Sequence, residues 1–320
     1  MTATLYVQQP ETELARRRGA HRAPSRVIPP GPRTVTRTRP ELSAGVAVTK
    51  AVLTLFSLLM LWLVLYAVVF SGLQEERAQH GLYAALRAQL ASETAPVGGL
   101  IKPGAPLALL DAPDIGLHDE VVVEGTSSAT LQKGPGHLAN TVLPGQAGVS
   151  AIFGKSVTFG GPFASIPKLQ MGNPITVTTV QGVAHYVVTD VRRGGDPLPA
   201  PLSPAQGRLT LVAVVGPGWR SGWAPTGLVY VAANLQGTGQ TGPPGRPTQV
   251  SAAQQAMGSS SSALYSLALW LEAMAIVAVG VTWARSRWGG WQVWLAGAPL
   301  VLATVWIVTE TATRLLPNLL

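Results

Sequence analysis

The sequence predicts an all-β closed barrel joined to three transmembrane α-helices. Three observations carry that expectation. Three long stretches are apolar and nearly free of charge, and each is about 20 residues long, the length that crosses the hydrocarbon of a bilayer. Between the first and second of them, about 135 residues hold short β-prone runs separated by turn residues, a pattern of barrels and enough chain for one core. The whole chain is 47% hydrophobic and only 12% charged, more apolar than a soluble domain.

The elements follow in order. Residues 1–47 are rich in Arg, Pro and Thr, lack an apolar period and predict a disordered basic tail. Most of the formal net charge of +8 sits there: eight arginines and Lys50 face three glutamates in the first 50 residues. Such a tail suits the cytoplasmic side of a membrane and anionic headgroups. It has one aromatic, Tyr6, and no folded face with stacking rings, so nucleic acid is not an expected partner. Residues 48–72 predict the first span, an uncleaved anchor rather than a signal peptide, because the segment before it is too long for one.

Residues 73–99 carry Leu82, Ala85, Leu86 and Leu90 at helical spacing and predict an amphipathic stalk, ended by Pro96, Gly98 and Gly99. Residues 100–235 are the barrel, with runs such as LALL, VVVEG, VSAIF, ITVTTV, YVVTDV, RLTLVAVV and GLVYVAA. Residues 236–262 read as a flexible Gly/Pro/Ser linker. Residues 263–283 and 291–310 predict two further spans. The loop 284–290 between them holds Arg285 and Arg287, which places it in the cytoplasm. Residues 311–320 form the remaining end. The expected topology has the N-terminus inside and the β domain outside the cell membrane.

The stretch Val121–Phe163 is the most informative part of the barrel. VVVEGT, LQKGPGHLANTVLPGQAG, the FGK that follows and GGPFASIPKLQMGNPITVTT together resemble the sortases, surface transpeptidases that cut a sorting peptide and attach proteins to cell wall or pilins. The likeness is to the class D/E, actinobacterial type and runs from about Pro106 to Asn234. It implies a barrel of the same size and, with the Ala-, Arg-, Gly- and Pro-rich composition, a high-GC Gram-positive source.

The same resemblance implies missing chemistry. A sortase keeps a histidine, a cysteine and an arginine at three places; here they hold Lys155, Val214 and Gly227. The chain has no cysteine, which excludes disulfides and thiolate catalysis. A valine cannot be acylated. The resemblance therefore implies a pseudoenzyme that works as a binding or structural component of a surface assembly. Its groove would still take an extended peptide, since strand-type recognition needs no nucleophile.

Two other functions stay open at this level. One is an active transpeptidase or hydrolase with unusual residues, Lys155 serving Ser156 as base, although neighbours on a strand face opposite ways. The other is a membrane subunit of a transport or signalling complex. Lys155 reads as a solvated cation at the groove mouth, as one end of a salt bridge inside it, or as a binding group for an acidic ligand. His137 reads as a structural hydrogen-bonding residue. The loop GPGWRSGWAP offers Trp219, Arg220 and Trp223 as candidate anchors for a protein partner or membrane surface. Glu272 lies mid-span, where a carboxyl group usually faces another helix or a functional path. The five histidines show no metal spacing, so neither metal nor cofactor is expected. Expected partners are the bilayer and envelope or membrane proteins.

Overall fold

The computed structural model describes residues 44–216, 225–259, 263–287 and 290–320. Eight strands close a barrel: β1 (Pro106–Ala112), β2 (Leu117–Glu124), β3 (Gly136–His137), β4 (Gly148–Phe153), β5 (Pro174–Thr179), β6 (Gly182–Arg193), β7 (Gly207–Val215) and β8 (Gly227–Leu235). They are hydrogen-bonded in the order β1-β2-β3-β4-β7-β8-β6-β5, with β5 returning to β1. Most pairs are antiparallel, but β4 lies parallel to β7, with Phe153 opposite Val212. That pairing brings the ends of two distant strands together and founds the site described below. Inward residues including Leu110, Val122, Ile152, Ile175, Tyr186, Leu209 and Val231 fill the core, and closure leaves the sheet no free edge.

Among the described residues three helices are long and apolar enough to cross a membrane: Ser57–Ala91, Ala263–Arg287 and Gly290–Thr313. The first is compound. α1 (Ala44–Leu65) passes through a π-helical turn, Tyr66–Phe70, into α2 (Ser71–Ala91). A π-turn widens the helix by one residue and often marks a point of engagement. Here Ser71, fully buried, accepts a hydrogen bond from the Phe159 amide at 2.9 Å.

A second α2 side chain, Gln79, also pins the helix to the barrel. Gln79 donates through Nε2 to the carbonyls of Val121 and Lys133, and its Oε1 accepts from the Val121 amide. α3 is the short turn Ser128–Leu131; α4 (Ala263–Arg287) and α5 (Gly290–Thr313) form an antiparallel-type hairpin, with Gly297 against Val281. A Cβ at Gly297 would lie 3.0 Å from that valine, the close approach small residues permit in lipid. α5 meets α1 at its far end, where Trp306 stacks edge-on against Tyr66 and Phe70 and Trp62 donates to Thr309.

The stretch expected to be a free linker is tied down over residues 237–259. The Gln240 carbonyl accepts from the Ala147 amide, the Gln240 amide donates to Gly145, and the Gly239 amide donates to Ala205. Turn-rich composition signals an irregular path, and here barrel loops take up its backbone donors and acceptors.

Candidate functional site: the mouth of the barrel

The site is built where β4 ends beside β7. After Phe153 the Gly154 amide still donates to the Val212 carbonyl. A Cβ on Gly154 would lie 2.3 Å from the ring of Phe163, so only glycine lets the chain pass. The backbone then turns back on itself, the Phe163 amide donating to the Lys155 carbonyl at 3.0 Å. Phe159 in this turn is fully buried and has φ +52°. Left-handed backbone at an aromatic residue is strained and persists only where its surroundings impose it.

Lys155 is fully buried. The expectation of a solvated cation is thus corrected: the turn folds the side chain inward, over the Phe159 ring, 5.6 Å from its centroid. Its Nζ donates to the main-chain oxygen of Leu320 at 3.1 Å. Burial pulls its ammonium down from the usual lysine range to about 7, because a desolvated charge favours its neutral form. No salt bridge to a carboxylate side chain holds it among the described residues.

Val214, 3% exposed on β7, belongs to a small apolar cluster with Leu131, Ala151, Phe153, Val212 and Leu319. Ser156 bonds its backbone: the Val214 amide donates to Ser156 Oγ at 3.2 Å. That hydroxyl is engaged with Val214's main chain rather than aimed at Lys155. Gly227 opens β8 opposite Val215, exposed and with open space where a Cβ would go. The structure thus gathers Lys155, Val214 and Ser156 at one end of the barrel, with Gly227 at the rim.

The occupant of this mouth is the chain itself. Beyond α5, Asn318 and Leu319 are fully buried. The Ser156 amide donates to the Leu319 carbonyl at 3.1 Å, and Thr158 Oγ1 joins Lys155 in donating to the Leu320 oxygen. Asn318 Nδ2 donates to the carbonyls of Ala253 and Gln255 at 2.7 and 2.8 Å, and its amide to Gly258. Residues 252–258 therefore lie across the segment, and Thr126 holds them by donating to the Gln254 carbonyl. An open cavity of about 410 Å³ continues beside them, lined among others by Lys102, Glu124 and Gln254.

Sequence reasoning missed Asn318, Leu319 and Leu320. One signal was present: Leu315, Leu316, Leu319 and Leu320 lie past the last span, where apolar side chains need cover. His137 is buried as a hydrogen-bonding residue, its Nδ1 2.8 Å from Glu124 Oε2 and its Nε2 2.9 Å from the Val142 carbonyl. Glu272 is exposed on α4. Trp219, Arg220 and Trp223 lie outside the described residues. Among the described residues no three His, Asp or Glu side chains gather as metal ligands.

Comparison with known proteins bears on the barrel. The family model of the sortase domain matches residues 110–212, a span that includes Lys155 and runs to two residues before Val214. Among solved structures the chain is similar to a sortase D5 transpeptidase of Clostridium perfringens, at 24% identity over 51% of this chain and 98% of that one, TM-score 0.40. It is similar to a sortase from Actinomyces oris at 27% identity over 44% and 85%, TM-score 0.39. Sortase E from Streptomyces avermitilis is 29% identical over 43% and 92%, TM-score 0.34. No curated protein matches. The barrel has the sortase fold, and it stands beside three helices of membrane-spanning length.

Proposed function

We propose that this chain is a membrane-held, catalytically inactive sortase-like protein that binds within a cell-surface assembly. One observation carries the reading: the place of the nucleophile is Val214, packed in an apolar cluster with Leu319, in a chain without cysteine. Thioacyl transfer needs a sulfur whose pKa a neighbouring group lowers, and an isopropyl group offers no lone pair. The Lys155–Ser156 alternative is disfavoured because each group already serves main-chain partners.

The arrangement of helices supports the expected topology. Thr313 accepts a hydrogen bond from Gln132 of the barrel side, so the end of α5 belongs on the barrel's side of the span. A helix of 24 residues is about 36 Å long, which carries the arginine-bearing last turn of α4 to the opposite face. Arg285 and Arg287 there favour the cytoplasm. Glu272, exposed mid-span on α4, supports a membrane-protein partner whose helix hydrogen-bonds it, since a lone carboxyl group in lipid is costly. The Trp219–Trp223 loop would provide a second partner surface.

The test is turnover. Full chain in detergent, incubated with sorting-signal peptides and an amine acceptor, should release no cleaved or transferred product. Product formation that Ser156→Ala or Lys155→Met abolishes would overturn the reading in favour of an enzyme.

A further inference from the structure

We propose that the barrel mouth is a peptide-binding site whose resident ligand is the chain's own segment Asn318–Leu320. This deepens the binding reading above and rests on it. Each residue of the segment is recognised by different chemistry. Leu319's side chain enters the apolar cluster with Leu131, Phe153 and Val214, while its carbonyl takes the Ser156 amide. A strand-type bond beside a side-chain pocket is how extended peptides dock on sheets. Asn318 is read by a pair of carbonyls, Ala253 and Gln255, which select a donor side chain. Leu320's main-chain oxygen is held by Lys155 and Thr158.

Lys155 supplies the strongest sign of a site rather than incidental packing. A fully buried lysine without a carboxylate side-chain partner among the described residues costs the fold, and the oxygen its Nζ bonds belongs to this segment. Thr126 fixes the strap 252–258 across it. The ligand class is therefore a short peptide carrying a small amide donor followed by leucines, with a main-chain oxygen presented to the ammonium. An intramolecular ligand has a high effective concentration. A partner's peptide would enter only by displacing this one, and because residues 314–320 follow α5 directly, movement of the α4–α5 hairpin would release the groove.

The cysteine-free chain makes a clean test. Val214→Cys introduces the single thiol, and its labelling by a small maleimide is followed on the full chain in detergent. Labelling should be slow. Adding Leu319→Asp, which puts a charge in the apolar pocket, should speed it at least about tenfold, as burial protection is lost. A synthetic peptide with the sequence of residues 314–320 should then restore protection in a saturable way, which a misfolded barrel would not allow. Equal labelling of the two variants overturns the proposal, and so does fast labelling that the peptide fails to slow. Turnover of a sorting peptide by the unmodified chain would overturn the inactive reading while leaving these rates unchanged.

Discussion

Replacing Lys155 by methionine keeps most of the side chain's length and deletes its charge. Burial lowers the ammonium from its usual 10.5 to about 7. At about 1.36 kcal/mol per pKa unit, the protonated form costs the fold on the order of 5 kcal/mol. Methionine forfeits the bond to Leu320, about 1–3 kcal/mol for a charged donor, and the Phe159 contact, roughly 1 kcal/mol. A net gain of about 2 kcal/mol should remain at low pH, or roughly 4–8 °C in Tm for a domain of this size.

The sign with pH follows from proton counts. Between about 7 and 10.5 the unfolded chain holds a proton on this lysine and the folded chain does not, so wild-type stability rises across that window. The advantage of Lys155→Met should be largest at or below about pH 7 and shrink as pH rises to 10.5. The assay is thermal unfolding of both full chains in the same detergent over that range; their difference cancels every other titrating group. An offset independent of pH, or a variant less stable at low pH, would refute the idea of a desolvated, costly ammonium.

Two further outcomes concern the scaffold. His137→Ala leaves buried Glu124 without its hydrogen-bond partner, and an orphaned buried polar group costs about 1–3 kcal/mol; denaturant titration should show a loss of at least that size, and unchanged stability would contradict the pairing. Glu120 on β2 is held above the usual carboxylate range mainly by burial, partly offset by its hydrogen bond with Glu75 of α2. A raised acid contributes stability that is full at low pH and lost as pH climbs through its folded pKa, so Glu120→Gln should flatten the decline in Tm as pH rises above the ordinary carboxylate range, and an unchanged decline would contradict the desolvated carboxyl.

The barrel was legible because its strands are written locally. Val121–Val123, Ala151–Phe153 and Leu209–Val215 alternate with turn residues, and each lies in or borders a strand. The three apolar helices were legible for the same reason, as length and lack of charge are properties of one segment. The occupied mouth was not. The bond from Lys155 to Leu320 joins residues 165 apart, and a lone lysine in sequence reads as solvated because most lysines are. Residues 237–259 misled in the opposite way: Gly, Pro and Gln describe a chain without regular structure, not whether its amides find partners on a neighbouring surface.

An inactive barrel mouth holds no side chain that takes up an acyl group. Intact-mass spectrometry of the full chain after prolonged incubation with a sorting-signal peptide, quenched in acid, addresses it directly. The expected result is the unmodified mass alone. A peptide-sized increment, mapped by fragmentation to Ser156, Thr158 or Lys155, would contradict it.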